Sequence, residues 1–384
     1  MNNSYDIVII GAGPAGCAAA LTLRESGLTV AIIDKEKFPR DKVCGDAIPG
    51  PAFKVMHKIN PLWADEMKEF TLAHKIKTGQ VTAPNGKTMK LDWVTFSYNS
   101  KRIDFDNYLF NLVKTETSAT IIESKRLKDI SIDKNHVTCQ FTDNSAIQAS
   151  IVIACDGANS VVRRKFSEEV TNKDNICTAV RAYYKDVEGI QPGVNEFHFF
   201  TDLAPGYFWI FPLENGWVNI GFGILQKKSD NTKKPINLRN ALHQIVNQMP
   251  SISPRFKNAT LMQEVKGFGL PLGVNQNSVS GSRFMLCGDA ASLIDPLQGH
   301  GIDHAMTSGH LAGIQAIKCF EADKFDASFI KQYDQALYAK IGKELSRNTF
   351  FLRIGSLFPW LLNIAVTIGQ NQRLIERIVR FLKI

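Results

Sequence analysis

The chain has 384 residues, of which 44% are hydrophobic and 21% are charged, and its formal net charge is +8. This length and composition exclude a disordered or fibrous protein and predict a large core, divided between two domains. The positive charge forms no dense basic run before the C-terminus and no nucleic-acid motif is present, so an anionic cofactor or membrane lipid suits it better than nucleic acid.

Seven cysteines are scattered along the chain without metal-ligand spacing, so no metal site is predicted. No secretory signal precedes the first predicted strand. We therefore expect a reduced, cytoplasmic compartment.

The first predicted elements are a buried parallel strand over residues 5–10, a glycine turn and a helix over residues 17–24. Gly11 permits the tight turn, Gly13 lets a diphosphate approach the backbone, and Gly16 lets the helix pack closely on the strand. The helix points its free N–H groups at the phosphates. This pattern predicts a dinucleotide site, and an ordinary glycine-rich turn is the alternative.

A second strand over residues 28–33 ends in Asp34, eighteen positions after Gly16. A carboxylate at this place can accept hydrogen bonds from both hydroxyls of an adenosine ribose. It would repel a 2′-phosphate, so the nucleotide held here is not expected to be NADP.

The next segment is charged and turn-rich, and in it Cys44 stands beside Gly45 and Asp46. Here the chain begins to resemble the geranylgeranyl reductase family of FAD-dependent oxidoreductases, and more widely the FAD-dependent monooxygenases and halogenases. The resemblance implies that residues 38–46 run along the isoalloxazine ring and that Cys44 lies near the substrate. Cys44 could be a polarisable wall or a weak proton donor there, and a half-buried structural cysteine is the alternative.

Residues 81–91 predict a hairpin around Asn85-Gly86 that begins a substrate-facing sheet. A helix is then predicted from residue 102 to about residue 116, capped by Asp104 or Asp106. In the resembling family, an arginine at the start of such a helix contacts the cofactor. Arg102 would pair with the diphosphate or anchor the ribityl chain, and a solvated surface arginine is the alternative.

Short strands between residues 119 and 154 predict a meander that returns to the nucleotide domain, where Leu127 is a candidate backbone contact to adenine. The meander ends in an apolar strand followed by Asp156-Gly157 and a helix, which resembles the second motif of the flavoprotein family. Asp156 is expected to order the loop near the diphosphate. A plain strand-to-helix turn is the alternative.

The second domain is predicted to contain strands at residues 177–184, 196–201, 206–213 and 217–224 and a helix at residues 236–248. In the third of these strands Tyr207, Trp209 and Phe211 share one face, which either packs a core or walls a pocket for a flat or apolar ligand.

Residues 205–212 resemble the Tyr-x-Trp-x-Phe-Pro pattern of geranylgeranyl reductases, in which this strand lines an isoprenoid tunnel. Only Gly206 separates the proline from the tyrosine here, where the family pattern has two residues. Halogenases carry a second tryptophan at the position of Phe211, so its absence argues against halogenation, as does the lack of an obvious catalytic lysine.

Residues 267–273 are predicted as a loop between the domains, and residues 284–287 as a strand that ends in Gly288-Asp289, the third family motif. By resemblance, Asp289 accepts a hydrogen bond from a ribityl hydroxyl. In the resembling family, backbone N–H groups at the start of the helix that follows point at the flavin N1/C2 edge, where negative charge accumulates on reduction. His300 either protonates a substrate carbanion or is packed at the loop edge.

Residues 326–351 are predicted as one helix, with two more helices behind it. Residues 354–368 are strongly apolar but contain Pro359 and are too short to span a bilayer. Residues 373–384 predict a basic amphipathic helix, suited either to an anionic membrane surface or to packing on the protein's own core.

The three motifs together predict an α/β protein with a Rossmann-type, glutathione-reductase-like FAD-binding domain, a second mixed-sheet substrate domain and C-terminal helices. The FAD-binding domain is assigned residues 1–80, 101–174 and 268–325, the substrate domain residues 81–100 and 175–267, and the helical region residues 326–384. The predicted cofactor-binding residues are Gly11, Gly13, Ala15, Gly16, Asp34, Lys35, Cys44, Gly45, Asp46, Arg102, Leu127, Asp156, Asp289, Gly299, Gly301 and Ile302. The predicted substrate-binding residues are Tyr207, Trp209, Phe211 and His300, and the catalytic candidates are Cys44 and His300.

The resemblance implies reduction of carbon–carbon double bonds in an isoprenoid or similar long apolar substrate. Reduced flavin N5 would deliver the hydride, and water, Cys44 or His300 the proton. No second glycine fingerprint is present, so NAD(P)H or another electron donor is expected to bind transiently. The alternatives are an aromatic hydroxylase or halogenase of the same fold, and a flavin-binding carrier or sensor without turnover.

Overall fold

A computed structural model describes residues 3–70, 72–166, 175–203, 206–225 and 236–370. In chain order, the strands of this part are β1 (Ser4–Ile10), β2 (Val30–Ile33), β3 (Ala47–Ile48), β4 (His74–Thr82), β5 (Thr88–Asn99), β6 (Thr120–Ile122), β7 (Leu127–Ile132), β8 (Val137–Phe141), β9 (Ala146–Ala154), β10 (Ile176–Lys185), β11 (Val194–His198), β12 (Gly206–Pro212), β13 (Trp217–Leu225), β14 (Thr260–Leu261), β15 (Lys266–Pro271), β16 (Ser280–Gly281) and β17 (Phe284–Leu286). Its α-helices are α1 (Pro14–Thr22), α2 (Gly50–Ile59), α3 (Pro61–Lys68), α4 (Arg102–Glu116), α5 (Val161–Phe166), α6 (Leu238–Gln248), α7 (Ile302–Ala322), α8 (Ala327–Ile330), α9 (Gln332–Leu357) and α10 (Leu361–Gly369).

The first sheet has the order β16-β17-β9-β1-β2-β6, with β7 and β8 attached beyond β9. Its centre is parallel, because β1 lies between β2 and β9 with Ile9 opposite both Ile32 and Ile153. These strands are buried along most of their length, which explains their continuous apolar sequences. The carboxyl ends of β1 and β9 therefore open beside the start of α1, the usual place for a ligand in such a sheet.

Helices α1 and α7 pack directly against each other on this sheet. The close approach requires glycine on α7, since a Cβ at Gly309 would lie 2.0 Å from the carbonyl oxygen of Ala15. This packing brings the start of α7 to the same crevice as the glycine turn before α1.

The second sheet is mixed and has the order β14-β10-β13-β12-β11-β4-β5-β3, with β15 beside β10. The two faces of strand β12 pack against different clusters of side chains. Phe208 and Ile210 pack in the core that includes α6, whereas Trp209 and Phe211 belong to a separate cluster on the opposite face. Two sheets with these helices confirm the predicted fold class.

The predictions for residues 267–273 and for the N-cap of α4 are wrong. Residues 267–273 were expected to form a loop, but β15 pairs with β10 from Lys266, opposite Arg181, to Pro271, opposite Ile176. The glycines and the proline suggested a break, and a strand beside β10 tolerates them with the proline as its last residue. Asp104 and Asp106 do not cap α4, because its N-cap is Lys101 and no side chain caps it.

The predicted hairpin is confirmed, with Gly86 at φ +81° between β4 and β5. Strand β4 begins at His74, before the predicted domain boundary at residue 80, and its partners β5 and β11 lie in the second sheet. The division into domains remains a prediction.

The predicted helix over residues 326–351 is interrupted at Lys331, which separates α8 from α9, and Asp326 caps its start. Beyond Pro359 the chain continues as α10. In the described part of the chain no single helix is long and apolar enough to cross a membrane. Only the pair Ala327–Leu357 and Leu361–Gly369, bent by 115°, passes that test when the two are taken together. The predicted amphipathic helix over residues 373–384 lies outside the described residues, as does Pro205.

Candidate functional site

The glycine turn between β1 and α1 has the shape of a phosphate cradle. A Cβ at Gly11, whose φ is +100°, would lie 2.3 Å from the Cys155 carbonyl oxygen, and a Cβ at Gly16 would lie 1.8 Å from the Gly11 carbonyl oxygen. These two glycines are therefore required by packing. At Gly13 the nearest atom to an added Cβ is Arg40 Nη2, at 3.5 Å. The backbone of Gly13 is thus accessible to a ligand, and the Arg40 guanidinium lies close enough to attract an anionic one, as a diphosphate site requires.

Asp34 lies buried at the end of β2 and orders this turn. Its Oδ2 accepts a hydrogen bond from the Ala12 N–H at 2.7 Å, and its Oδ1 accepts one from the Glu36 N–H at 2.9 Å. Each carboxylate oxygen retains acceptor capacity, so a role toward ribose hydroxyls is compatible with this position. Lys35 is exposed beside it.

Arg102 is buried, so the alternative of a solvated surface arginine is wrong. Its Nε and Nη2 each donate a hydrogen bond of 2.7 Å to the Asp106 carboxylate, and Arg40 Nη1 donates a third of 2.5 Å. Burial opposes the charge on Arg102, but Asp106 and Cys44 hold its pKa above its ordinary value. Burial likewise favours the neutral form of Asp106, yet its pKa is lowered because Arg102 and Arg40 stabilise the carboxylate.

Arg40 and Asp106 were not among the predicted site residues. They lie sixty-six positions apart in the chain, so no local pattern connects them. The charged segment before Cys44 was the one available signal for Arg40.

A solvent-open cleft with a cavity volume of about 100 Å³ lies between the first sheet and the second. It brings together eight predicted residues from five separate segments. They are Cys44, Gly45, Arg102, Trp209, Asp289, Gly299, Gly301 and Ile302. The predicted residues Tyr207, Phe211, His300, Leu127 and Asp156 are not among the residues that line it.

Asp46 is not among the residues that line the cleft, but it is hydrogen-bonded to two side chains behind the lining. It is fully buried, with φ +65°, and its Oδ2 accepts hydrogen bonds from the Tyr183 hydroxyl at 2.6 Å and Asn219 Nδ2 at 2.8 Å. Burial raises the pKa of Asp46 to about 6. Asn219 Nδ2 also donates to the Cys44 carbonyl, and Asn219 Oδ1 accepts from Trp209 Nε1 at 2.9 Å. Neither Tyr183 nor Asn219 was predicted.

The aromatic face of β12 both packs a core and lines the cleft. Trp209 is among the cleft-lining residues and is nevertheless 6% exposed, because its ring covers the backbone of β13, where a Cβ at Gly221 would lie 2.1 Å from the ring. Phe211 packs against Phe197, with ring centroids 5.2 Å apart. The Tyr207 hydroxyl donates to the Gln298 carbonyl at 3.0 Å and so ties the face to the loop before α7.

The loops at Asp156 and Asp289 meet at the carboxyl ends of β9 and β17. Asp156 Oδ2 accepts from the Val161 N–H at 2.8 Å, while its buried Oδ1 has no partner within the described part of the chain. Asp289 Oδ2 accepts from Lys42 Nζ at 2.9 Å. Arg163, which was not predicted, donates to the Asp289 carbonyl and clamps the two loops together.

His300 turns away from the cleft. Its Nδ1 lies 2.8 Å from Asp303 Oδ1, and its Nε2 lies 3.9 Å from Glu344 on α9. Burial disfavours its charge, but Asp303 raises its pKa to about 9. His300, Asp303 and His304 could together hold a metal ion. The short contact between His300 Nδ1 and Asp303 is instead an ion pair, and a protonated imidazole has no lone pair with which to bind a metal.

Residues 4–337 match the family model described as FAD binding domain. The menaquinone reductase of Mycobacterium tuberculosis is 29% identical over 332 residues, covering 81% of this chain and 76% of the relative. The digeranylgeranylglycerophospholipid reductase of Methanoculleus marisnigri is 29% identical over 365 residues, covering 91% and 85%.

Solved structures share the fold. A geranylgeranyl bacteriochlorophyll reductase-like protein of Thermoplasma acidophilum has a TM-score of 0.83 at 21% identity, covering 97% of this chain and 92% of that one. A flavin-dependent brominase has a TM-score of 0.78 at 21% identity, covering 99% and 93%. The predicted resemblance and the predicted cofactor FAD are confirmed.

Proposed function

The chain belongs to the FAD binding domain family and is an FAD-dependent oxidoreductase, and on that premise we propose that it reduces carbon–carbon double bonds of an isoprenoid substrate. The observation that carries the proposal is the composition of the cleft. The glycine-rich loop before α7 contributes Gly299 and Gly301 to the lining, and strands β12 and β15 contribute Trp209, Phe268 and Leu270. These apolar side chains suit a long apolar substrate, and we infer that its olefin lies towards the loop.

Several residues would hold the cofactor. The open backbone at Gly13, with Arg40 beside it, suits the diphosphate, and Asp34 and Asp289 offer carboxylate oxygens for ribose and ribityl hydroxyls. Gly301 precedes the first turn of α7, whose free N–H groups favour negative charge. When bound and reduced, FAD supplies the hydride.

A proton must reach the second olefin carbon. Cys44 and Arg102 both line the cleft. His300 would first have to leave Asp303. We therefore place Cys44, or a water molecule held beside it, ahead of His300 as the proton donor.

The apolar character of the substrate also supports a peripheral contact with membrane lipid. Helix α10 and the turn before it expose Phe358, Trp360 and Ile364, and the basic residues 373–384 follow in the sequence. This location, like the cytoplasmic one, remains a proposal.

The test is anaerobic. Protein purified with its flavin is reduced by NADH, NADPH or dithionite and then mixed with a polyprenyl substrate. Reoxidation of the flavin together with a product heavier by two hydrogen atoms supports the proposal. Flavin that stays reduced with the polyprenyl substrate until oxygen is admitted, and then gives a hydroxylated or halogenated product from an added aromatic compound, contradicts it and favours the monooxygenase or halogenase alternative. Flavin that neither NADH nor NADPH reduces, and that passes electrons from dithionite to no olefin and supports no hydroxylation or halogenation, favours a carrier or sensor.

A further inference from the structure

Arg181 is a buried cation in the wall of the cleft. Its side chain is 0% exposed, although the residue belongs to the cleft lining. Its Nε is buried and has no hydrogen-bond partner among the residues that the structure describes, and its Nη1 has a long contact of 3.3 Å to Gln263. A guanidinium with unfilled donors at this depth is costly to bury, so its position calls for a further acceptor.

The charges around Arg181 are not balanced pairwise. Its Nη2 donates to both oxygens of Asp41, at 2.9 and 3.0 Å, and Lys266 Nζ donates to the same carboxylate at 3.0 Å. One carboxylate thus serves two cations. Lys42, in the same lining, is paired with Asp289. Asp46 also acts on Arg181 electrostatically but is held by Tyr183 and Asn219.

The wall that carries Arg181 has a charged end and an apolar end. Strands β10 and β15 pair with Arg181 opposite Lys266, Ala179 opposite Phe268 and Cys177 opposite Leu270. Residues two apart in a strand point to the same face, so these pairs succeed one another along one surface, about 13 Å from end to end. Arg181, Ala179, Phe268 and Leu270 all line the cleft.

From this sequence of pairs we propose that Arg181 binds an anionic group, a phosphate or a carboxylate, at one end of the isoprenoid substrate. The apolar chain then lies along Phe268 and Leu270. The inference rests on the proposed function and makes it more specific, because it favours a charged polyprenyl compound over a neutral quinone or alcohol. Arg181 is a binding residue in this proposal and takes no part in proton or hydride transfer.

The experiment compares two ligands that share one chain, a polyprenyl diphosphate and the matching uncharged alcohol. Binding to the FAD-loaded protein is followed at equilibrium through the flavin absorbance, without turnover. We expect the diphosphate to bind at least about ten-fold more tightly, because charge-assisted hydrogen bonds are the stronger kind. In Arg181→Met the two affinities should become nearly equal while that of the alcohol is unchanged.

Two further variants keep the test interpretable. Arg181→Lys retains the charge and should retain part of the preference even where Arg181→Met folds poorly. Lys185→Met is the matched control, since Lys185 lies on the same strand and face but over Trp217, at 5.5 Å. It should leave the preference intact.

The outcomes separate the inference from the proposed function. Olefin reduction with no preference for the charged ligand overturns the inference and leaves the function standing. A preference that Arg181→Met removes, in a protein that reduces no olefin, supports the anion site and contradicts the function. If Arg181→Met weakens only the binding of a phosphate-bearing nicotinamide donor, the anion belongs to the donor and the inference is wrong.

Discussion

The Arg102 guanidinium holds the Asp106 carboxylate, one turn further along α4, through two hydrogen bonds of 2.7 Å each. Arg40 reaches the same carboxylate from the segment between β2 and β3. One buried acid therefore binds both Arg102, which lines the cleft, and Arg40, and it fastens the segment that carries Cys44 to helix α4.

Asp106→Ala should lower the free energy of unfolding by about 3–5 kcal/mol, because it leaves buried cations without a partner. The measurement is urea denaturation of the FAD-loaded protein. Asp104→Ala is the control on the same helix and should cost less than about 1 kcal/mol, since its neighbour Lys101 is partly solvated. Equal losses in the two variants would contradict the anchoring role of Asp106.

Asp289→Ala should weaken FAD binding by about ten-fold or more, the loss expected when a hydrogen bond to a charged group is removed. The ratio of flavin to protein after extensive dialysis measures the effect. Asp289→Asn retains an acceptor and should keep more flavin, and Asp323→Ala, at the far end of α7, should keep all of it. Full flavin occupancy in Asp289→Ala would remove Asp289 from the ribityl site.

Trp209→Ala should reduce kcat/KM for long polyprenyl substrates by about ten-fold or more, because it removes a large apolar wall, and should affect flavin content much less. Phe208→Leu is the control on the opposite face of β12, where it touches the α6 core. It should lower stability without changing substrate preference. Unchanged kinetics in Trp209→Ala would assign Trp209 to the core alone.

The buried carboxyl of Asp46 predicts a specific dependence of stability on pH. Its pKa is about 6 in the folded protein, above the ordinary value of 3.8, so the folded state binds the proton more tightly than the unfolded state. Its contribution to stability therefore falls as pH rises from the unfolded pKa through about 6. Between about pH 5 and pH 8 the loss should be about 1.4 kcal/mol.

Asp46→Asn cannot ionise and should lack this part of the pH dependence. Urea denaturation of both proteins across the range measures the difference. Parallel stability profiles for the two proteins would show that Asp46 keeps an ordinary pKa.

Cys44→Ser should slow olefin reduction by about ten-fold or more, because a hydroxyl is a weaker acid than a thiol, and should leave flavin reduction by the donor unchanged. His300→Gln should leave both steps within about two-fold, because His300 is engaged with Asp303 outside the cleft lining. Stopped-flow absorbance under anaerobic conditions separates the two steps. If His300→Gln slows olefin reduction and Cys44→Ser does not, His300 is the proton donor and Cys44 is not.

Local patterns predicted much of the fold. The strands β1 and β9, the helix α7 and the hairpin at Gly86 follow from apolar runs, glycines and turn residues, and the structure contains each of them. The failures are also local in origin. Strand β15 was missed because Gly267, Gly269 and Pro271 suggested a loop, although pairing with β10 outweighs their low strand propensity.

The long-range partners could not be predicted. The Arg181–Asp41 pair joins residues one hundred and forty positions apart, and the Tyr183–Asp46 hydrogen bond joins residues one hundred and thirty-seven apart. No periodicity encodes such contacts, so Arg181, Tyr183 and Asn219 entered the site only through the fold. The family motifs, in contrast, pointed to Asp289 and to the loop at Gly299 because they are contiguous in sequence.

The cleft draws its lining from residues as far apart in the sequence as Pro14, at the start of α1, and Ala305 on α7. A nascent chain that ends before Ala305 therefore lacks part of the cofactor site, even when its N-terminal strands and α1 have already folded. We therefore expect the complete cofactor site to form only after Ala305 has been synthesised.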